Sequence, residues 1–138
     1  MKLNLTLTLF LFASFVVADD DPLYLGTWRS NEEKTLASMD GVKGIPEKAQ
    51  VFLRDELFGH LVHVIRVDSF ATYFIDEKPD VLTFLPHKVD VLSGNSIRVT
   101  YYDELTDSDV TQVLKFEDNC YSLPVTKWKF REYFCRVD

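Results

Sequence analysis

The chain has 138 residues, of which 46% are hydrophobic and 27% charged, and its formal net charge is −7 at neutral pH. This excess of acid argues against a nucleic-acid partner, because nucleic-acid binding requires a basic surface that displaces counterions. It also argues against attraction to anionic membranes, and the solubility of an exported protein is a sufficient reason for it.

The N-terminus has the pattern of a secretory signal peptide. Lys2 supplies a positive charge, residues 5–17 are largely apolar, and Ala18 ends a small-residue cleavage site. The apolar stretch is too short to span a bilayer, and no later segment of the sequence is long enough. We therefore expect cleavage of residues 1–18 and one secreted or periplasmic domain over residues 19–138. An uncleaved anchor is the alternative.

Two cysteines, Cys120 and Cys135, lie in the predicted mature domain. Because an exported protein meets an oxidising compartment, an even pair of cysteines predicts a disulfide bond. The bond would close a loop of about 15 residues, which is worth roughly 3 kcal/mol on the chain-entropy model.

The first part of the domain is predicted to contain one strand and two short helices. Residues 23–29 read as the strand, and Ser30 with Glu33 forms the pattern of a capping box for the first helix. Pro46 suits the first position of the second helix, and Gly59 is expected to end it. The apolar residues of the second helix recur at helical spacing: Ala49, Phe52, Leu53 and Leu57.

From His60 onward, apolar residues alternate with polar ones at a period of two, as they do in strands. Eight short strands are predicted there: 61–67, 70–75, 81–85, 88–92, 97–101, 110–116, 120–123 and 128–137. With the first strand, this predicts a mainly β protein that forms a single antiparallel up-and-down β-barrel of about eight or nine strands. An open sandwich with the same strands is the alternative.

Three short motifs resemble those of the calycin superfamily, which contains the lipocalins and the fatty-acid-binding proteins. Gly26-Thr27-Trp28 resembles the Gly-x-Trp of their first strand, and the two following helices resemble the helical cap of the fatty-acid-binding proteins. Arg131-Glu132-Tyr133 resembles the Arg-x-Tyr of their last strand. The resemblance implies a lipocalin-like barrel with an interior that binds a hydrophobic ligand, such as a fatty acid.

In that family the terminal arginine and tyrosine grip a ligand carboxylate. Arg131 and Tyr133 are two residues apart, so they project from the same face of a strand. A guanidinium can bind a carboxylate through two hydrogen bonds, which suits this role if the face is the interior one. The alternative places Trp128, Phe130 and Phe134 inward and leaves Arg131 in water.

Aromatic residues are the candidates for the remaining ligand contacts and for the core. Trp28 is expected to be a structural plug, with either Arg131 or Arg136 stacked on its indole. The phenylalanines expected to contact the apolar part of a ligand are Phe70, Phe74 and Phe116. Aromatic residues can equally fill a small core and leave no cavity.

The sequence contains no motif of a catalytic nucleophile, zinc site or phosphate-binding loop, so no enzymatic activity is predicted. His60 and His63 fall on opposite faces of one strand, which spoils metal coordination, and neither a metal nor a cofactor is expected. We expect a monomeric exported carrier of a small hydrophobic molecule. The alternative is a filled barrel that acts as a protein-interaction module or an inhibitor.

Overall fold

The computed structural model describes residues 21–138, so the predicted signal peptide lies outside the described residues. Its strands are β1 (Gly26–Ser30), β2 (Leu61–Ile65), β3 (Ser69–Phe74), β4 (Leu85–Ser93), β5 (Ser96–Asp103), β6 (Ser108–Glu117), β7 (Cys120–Val125) and β8 (Phe130–Arg136). They form a closed antiparallel barrel in chain order. Two short helices, α1 (Glu32–Met39) and α2 (Glu47–Phe52), lie between β1 and β2. The predicted mainly β, up-and-down barrel is therefore confirmed.

Between residues 21 and 138, no helix is both long and apolar enough to cross a membrane.

The described barrel has eight strands, because the two strands predicted around Pro86 form only one. β4 runs through this proline, whereas residues 81–84 belong to an irregular connection. Proline cannot donate a hydrogen bond to a neighbouring strand, so it is tolerated where pairing is sparse. Pairing with β3 is sparse here: it consists of Ser69 opposite Pro86 and Phe70 opposite Leu85.

The barrel closes because β1 pairs with both β2 and β8. β1 is short, and the first half of β8 extends beyond it. The backbone amides of Arg131 and Tyr133 in that half donate to Ser38 Oγ at 2.8 Å and to Thr35 Oγ1 at 3.0 Å. Both hydroxyls lie on α1, so the helix satisfies the part of β8 that β1 does not reach. Covering a strand edge in this way protects it from pairing with other chains.

The predicted cap of the first helix is wrong by one residue. Asn31 is the N-cap, and its side-chain oxygen accepts from the backbone amide of Lys34 at 2.9 Å. Ser30 instead belongs to β1, where its Oγ accepts from the backbone amide of Gly59 at 2.9 Å. This bond ties the end of β1 to the turn that precedes β2.

α2 continues into a π-helical turn over Leu53–Leu57, and both pack on a small second core. Phe52 was expected on the buried face of α2, but it is 49% exposed. Leu53 is the residue of the predicted face that is buried in this core, whereas Phe52 lines a surface cleft. The buried residues of this core are Met39, Ile45, Leu53, Phe58 and Phe130.

The predicted disulfide between Cys120 and Cys135 is confirmed. The two residues lie directly opposite each other in the β7–β8 pair. The bridge therefore joins two strands that already share a ladder of hydrogen bonds, close to the point where β8 meets β1.

Candidate functional site

Trp28 plugs one end of the barrel, which we call the Trp28 end. Its side chain is only 1% exposed, and its indole Nε1–H donates to the carbonyl oxygen of Tyr24 at 3.1 Å. The rings of Phe116 and Tyr121 meet it edge to face, with centroid distances of 5.5 and 5.2 Å. This geometry matches the predicted structural role of Trp28, since offset and edge-on aromatic contacts are the favoured ones.

Arg136 seals this end from the outside. Its Cζ lies 4.3 Å from the centroid of the Trp28 ring. Its Nη1 and Nη2 donate to the carbonyl oxygens of Leu25 at 2.7 Å and Leu23 at 2.8 Å. Of the two arginines considered from the sequence, Arg136 and not Arg131 therefore packs on Trp28.

Beyond this plug the barrel contains a cavity of about 240 Å³. It exists because the alternating residues of the barrel strands point inward and their side chains do not fill the space between them. We call it the barrel cavity. Its apolar walls include Leu61, Ile65, Phe70, Val99, Leu114 and Phe134.

The expected ligand-gripping pair does not reach this cavity. On β8 the inward residues include Glu132 and Phe134, which line it, so the alternating Arg131 and Tyr133 face outward. The Arg131 side chain donates to Oγ of Ser122 from Nε at 2.9 Å and to its carbonyl oxygen from Nη2 at 3.1 Å. The predicted interior placement of Arg131 and Tyr133 is therefore wrong.

The three predicted phenylalanine contacts lie in three different surroundings. Phe70 lines the barrel cavity, as expected. Phe116 is buried against Trp28 at the plugged end, outside the cavity. Phe74 is 40% exposed and lines a surface cleft together with Phe52. Their positions along the barrel axis separate these three residues.

Glu132 is the most unusual residue of the cavity. Its Oε1 is buried, and no hydrogen-bond partner for it exists within residues 21–138. Burial raises the pKa of Glu132 from 4.5 to about 7, because removal from water disfavours the charged form. Both protonation states of this carboxyl are therefore accessible near neutral pH. The protonated acid can donate a hydrogen bond, and the carboxylate can only accept.

A neutral histidine–tyrosine pair lies in the same cavity. His63 Nδ1 and the Tyr121 hydroxyl are 2.5 Å apart and share one hydrogen bond, whose donor depends on the histidine tautomer. Burial lowers the pKa of His63 from 6.5 to about 4. Burial and the negative charge of Glu132 raise the pKa of Tyr121 well above its usual value. At neutral pH both rings are therefore uncharged, and the His63 ring stacks on Phe134 with centroids 4.2 Å apart.

These polar residues were not among the predicted ligand contacts. The signal for Glu132 was present, since it is an acid between Phe130 and Phe134 on the apolar face of a strand. His63 was considered only as a metal ligand, although it shares one face of its strand with Leu61 and Ile65. A polar residue within an apolar alternation is the pattern that marks a polar group inside a barrel.

The cavity thus combines apolar and aromatic walls with a few polar groups, which is the usual make-up of a small-molecule site. Within residues 21–138, no group of three or more His, Cys, Asp and Glu side chains is arranged to hold a metal ion. No protein-family model, curated protein or solved structure matches the chain.

Proposed function

We propose that the protein binds a small, largely apolar ligand inside the barrel and carries it outside the cytosol. The observation that supports this proposal is the barrel cavity of about 240 Å³ with its apolar and aromatic walls. An apolar cavity of about 150 Å³ is large enough for benzene, and drug-sized ligands use about 300–1,000 Å³. The space therefore suits a ligand of one or two rings, or a short chain.

Apolar burial would supply most of the affinity, at about 25 cal/mol for each Å² removed from water. The polar groups of the cavity would then orient the ligand. We no longer place a ligand carboxylate at Arg131 and Tyr133, because both residues face outward and Arg131 is hydrogen-bonded to Ser122.

Export is the second part of the proposal. The Cys120–Cys135 disulfide supports it, because such bonds persist in oxidising compartments and are rare in the cytosol. The N-terminal pattern of the sequence points the same way. The barrel, with its Gly-x-Trp on β1 and its two helices before β2, also supports kinship with the calycin superfamily.

The test is a fluorescence titration with the neutral two-ring dye 6-propionyl-2-dimethylaminonaphthalene, after organic extraction of the purified protein and mass spectrometry of the extract. A matched pair of valine substitutions separates the cavity from the surface. Val99→Phe fills the cavity from β5, whereas Val91→Phe adds the same ring at a position on β4 that is 72% exposed. Overfilling a packed interior costs about 1–3 kcal/mol, so the folding of both variants is checked by near-ultraviolet circular dichroism.

We expect saturable dye binding by the wild type and by Val91→Phe, and binding at least about tenfold weaker by a folded Val99→Phe, a loss of about 1.4 kcal/mol. Equal binding by the two variants would place the dye elsewhere and contradict the proposal. An absence of both extracted ligand and dye binding would favour the alternative, a barrel that acts through its outer surface.

A further inference from the structure

The barrel cavity contains one acidic side chain and, among residues 21–138, no lysine or arginine lines it. Glu132 is the acid, and its Oε1 is buried without a hydrogen bond. A buried acceptor left without a partner costs about 1–3 kcal/mol, and more when it is charged. A ligand that donates a hydrogen bond to the Glu132 carboxyl would offset this cost.

The nearest basic side chain along β8 cannot neutralise Glu132. Arg131 projects to the opposite face of the strand and is held by two hydrogen bonds to Ser122. Arg136, on the same face as Glu132, is held over Trp28. Both neighbouring guanidinium groups are thus engaged elsewhere.

The other titratable groups of the cavity wall come from four strands and surround the space that Glu132 faces. They are His63 on β2, His87 on β4, Tyr101 on β5 and Tyr121 on β7. His63 and Tyr121 are bonded to each other, and His87 Nε2–H donates to the carbonyl oxygen of Arg66 at 2.9 Å. Burial and the charge of Asp103 raise the pKa of Tyr101, which keeps its phenol neutral.

Aromatic rings also line the cavity, among them Phe70, Tyr101, Tyr121 and Phe134. The rings of Tyr121 and Phe134 stack with their centroids 5.2 Å apart, and the His63 ring also stacks on Phe134, with a centroid distance of 4.2 Å. Aromatic faces attract cations by about 0.5–2 kcal/mol, and most strongly where water is excluded. A ligand carboxylate would gain nothing from these faces and would be repelled by Glu132.

We propose that the barrel cavity selects small apolar ligands that carry a protonated amine, with the ammonium N–H donating to the buried carboxylate of Glu132. This inference rests on the proposed function and names the ligand class of the same cavity. It also replaces the fatty acid expected from the sequence by a ligand of opposite charge.

The proposal predicts how binding varies with pH. The ammonium form of an alkylamine persists up to about pH 10, as it does for lysine. The carboxylate of Glu132 forms as the pH rises through about 7. Affinity for an amine should therefore increase from about pH 5.5 to about pH 8.5, while affinity for a neutral ligand of the same shape should not.

The experiment compares three ligands of one shape by isothermal titration calorimetry: 2-phenylethylamine, 2-phenylethanol and 3-phenylpropanoate. Each is titrated into the disulfide-bonded protein at about pH 8.5 and about pH 5.5. Glu132→Gln preserves the shape of the side chain and removes its charge. Glu104→Gln, at an exposed position between β5 and β6, is the matched control.

We expect wild type and Glu104→Gln to prefer the amine over the alcohol by at least about tenfold at the higher pH, as for a hydrogen bond to a charged group. This preference should shrink at the lower pH and disappear in Glu132→Gln, which still binds the alcohol. Equal binding of amine and alcohol by the wild type, or tightest binding of the carboxylate, would overturn the inference and leave the proposed function standing. Failure of all three ligands and of the dye would overturn both. The pH comparison within the wild type needs no variant, so misfolding of Glu132→Gln does not remove the test.

Discussion

The Trp28 end and the barrel cavity are built from the same strands but treat polar groups in opposite ways. At the Trp28 end, the indole N–H donates to Tyr24, and Arg136 donates to two backbone carbonyls while covering the ring. In the cavity, Oε1 of Glu132 is buried with no partner among the described residues. At the Trp28 end the hydrogen-bonding groups are paired within the chain, whereas in the cavity one acceptor of Glu132 has no partner among the described residues.

This contrast separates stability from recognition. Paired polar groups and close aromatic contacts stabilise a fold, whereas an unpaired buried acceptor costs free energy. A barrel that contained only arrangements of the first kind would offer a ligand no unpaired polar group. The following predictions test whether the two regions differ in this way, and they run from the largest expected effect to the smallest.

Trp28→Ala should destabilise the protein more than any other single change considered, by about 3–5 kcal/mol, because it removes a fully buried indole and leaves a void. The measurement is the free energy of unfolding from urea denaturation. Phe74→Ala is the comparison, since Phe74 is 40% exposed and its loss should cost about 1 kcal/mol or less. Similar losses at the two positions would mean that the Trp28 end is not the anchor of the core.

Replacing Cys120 and Cys135 together with alanine should lower the free energy of unfolding by about 3 kcal/mol. Neither cysteine lines the cavity, because their neighbours Tyr121 and Phe134 project to the opposite faces of β7 and β8, so dye binding by the folded variant should persist. Urea denaturation and the dye titration at the same temperature measure the two effects. A variant that keeps its stability and loses dye binding would reverse the proposed division of roles.

Glu132→Gln should stabilise the ligand-free protein at high pH. The raised pKa of Glu132 favours the protonated acid in the folded state, so its contribution to stability is present below pH 4.5 and is lost as the pH rises through about 7. The variant should therefore match wild type at about pH 4.5 and exceed it by at most about 3 kcal/mol at about pH 8.5. Urea denaturation at several pH values gives the difference, and a pH-independent difference would show that the carboxyl is solvated.

Burial shifts the pKa of His63 in the opposite direction to that of Glu132, so its effect on stability has the opposite pH dependence. Glu132→Gln should therefore also reveal the contribution of His63. Because burial lowers the pKa of His63 from 6.5 to about 4, stability is lost as the pH falls through that interval. In wild type the two residues offset each other over much of this range. In Glu132→Gln the free energy of unfolding should fall steadily as the pH is lowered from about 6.5 to about 4. A free energy that stays constant over this range would mean that His63 is not desolvated.

The two arginines of β8 offer the smallest contrast. Arg136→Met should cost about 2 kcal/mol, because it removes two charged hydrogen bonds and the contact with Trp28. Arg131→Met should cost about 1 kcal/mol, since Arg131 makes its two hydrogen bonds to Ser122 on the outer face and packs on no buried ring. Thermal or urea denaturation of both variants checks the order, and a larger loss for Arg131 would contradict the assignment.

Most of the fold could be predicted from the sequence, because it depends on local patterns. Three signals depend only on nearby residues or on simple chemistry: the alternation in β5 and β6, the helix end at Gly59, and the paired cysteines. The prediction of two strands around Pro86 was wrong, because a proline is a weak strand boundary where the neighbouring strand forms few pairs with it.

The site was harder to predict, because it depends on the phase and axial position of strands. On β8 both faces carry aromatic and charged residues, so the alternation favoured the face of Glu132 over the face of Arg131 only slightly. The choice is made by distant residues, since Thr35 and Ser38 of α1 hold the backbone of β8. Phe116 shares the inward face of β6 with Leu114, yet it lies at the Trp28 end rather than in the cavity.

The most direct test is the titration of the Glu132 carboxyl itself. Carbon-13 NMR of protein labelled at the glutamate side-chain carboxyls, with Glu132→Gln to assign the signal, follows its protonation without any ligand. A midpoint at about pH 7 is expected, with a downward shift when 2-phenylethylamine is added. A midpoint near the ordinary 4.5, unmoved by the amine, would show that the carboxyl lies in water and would contradict the account of the cavity.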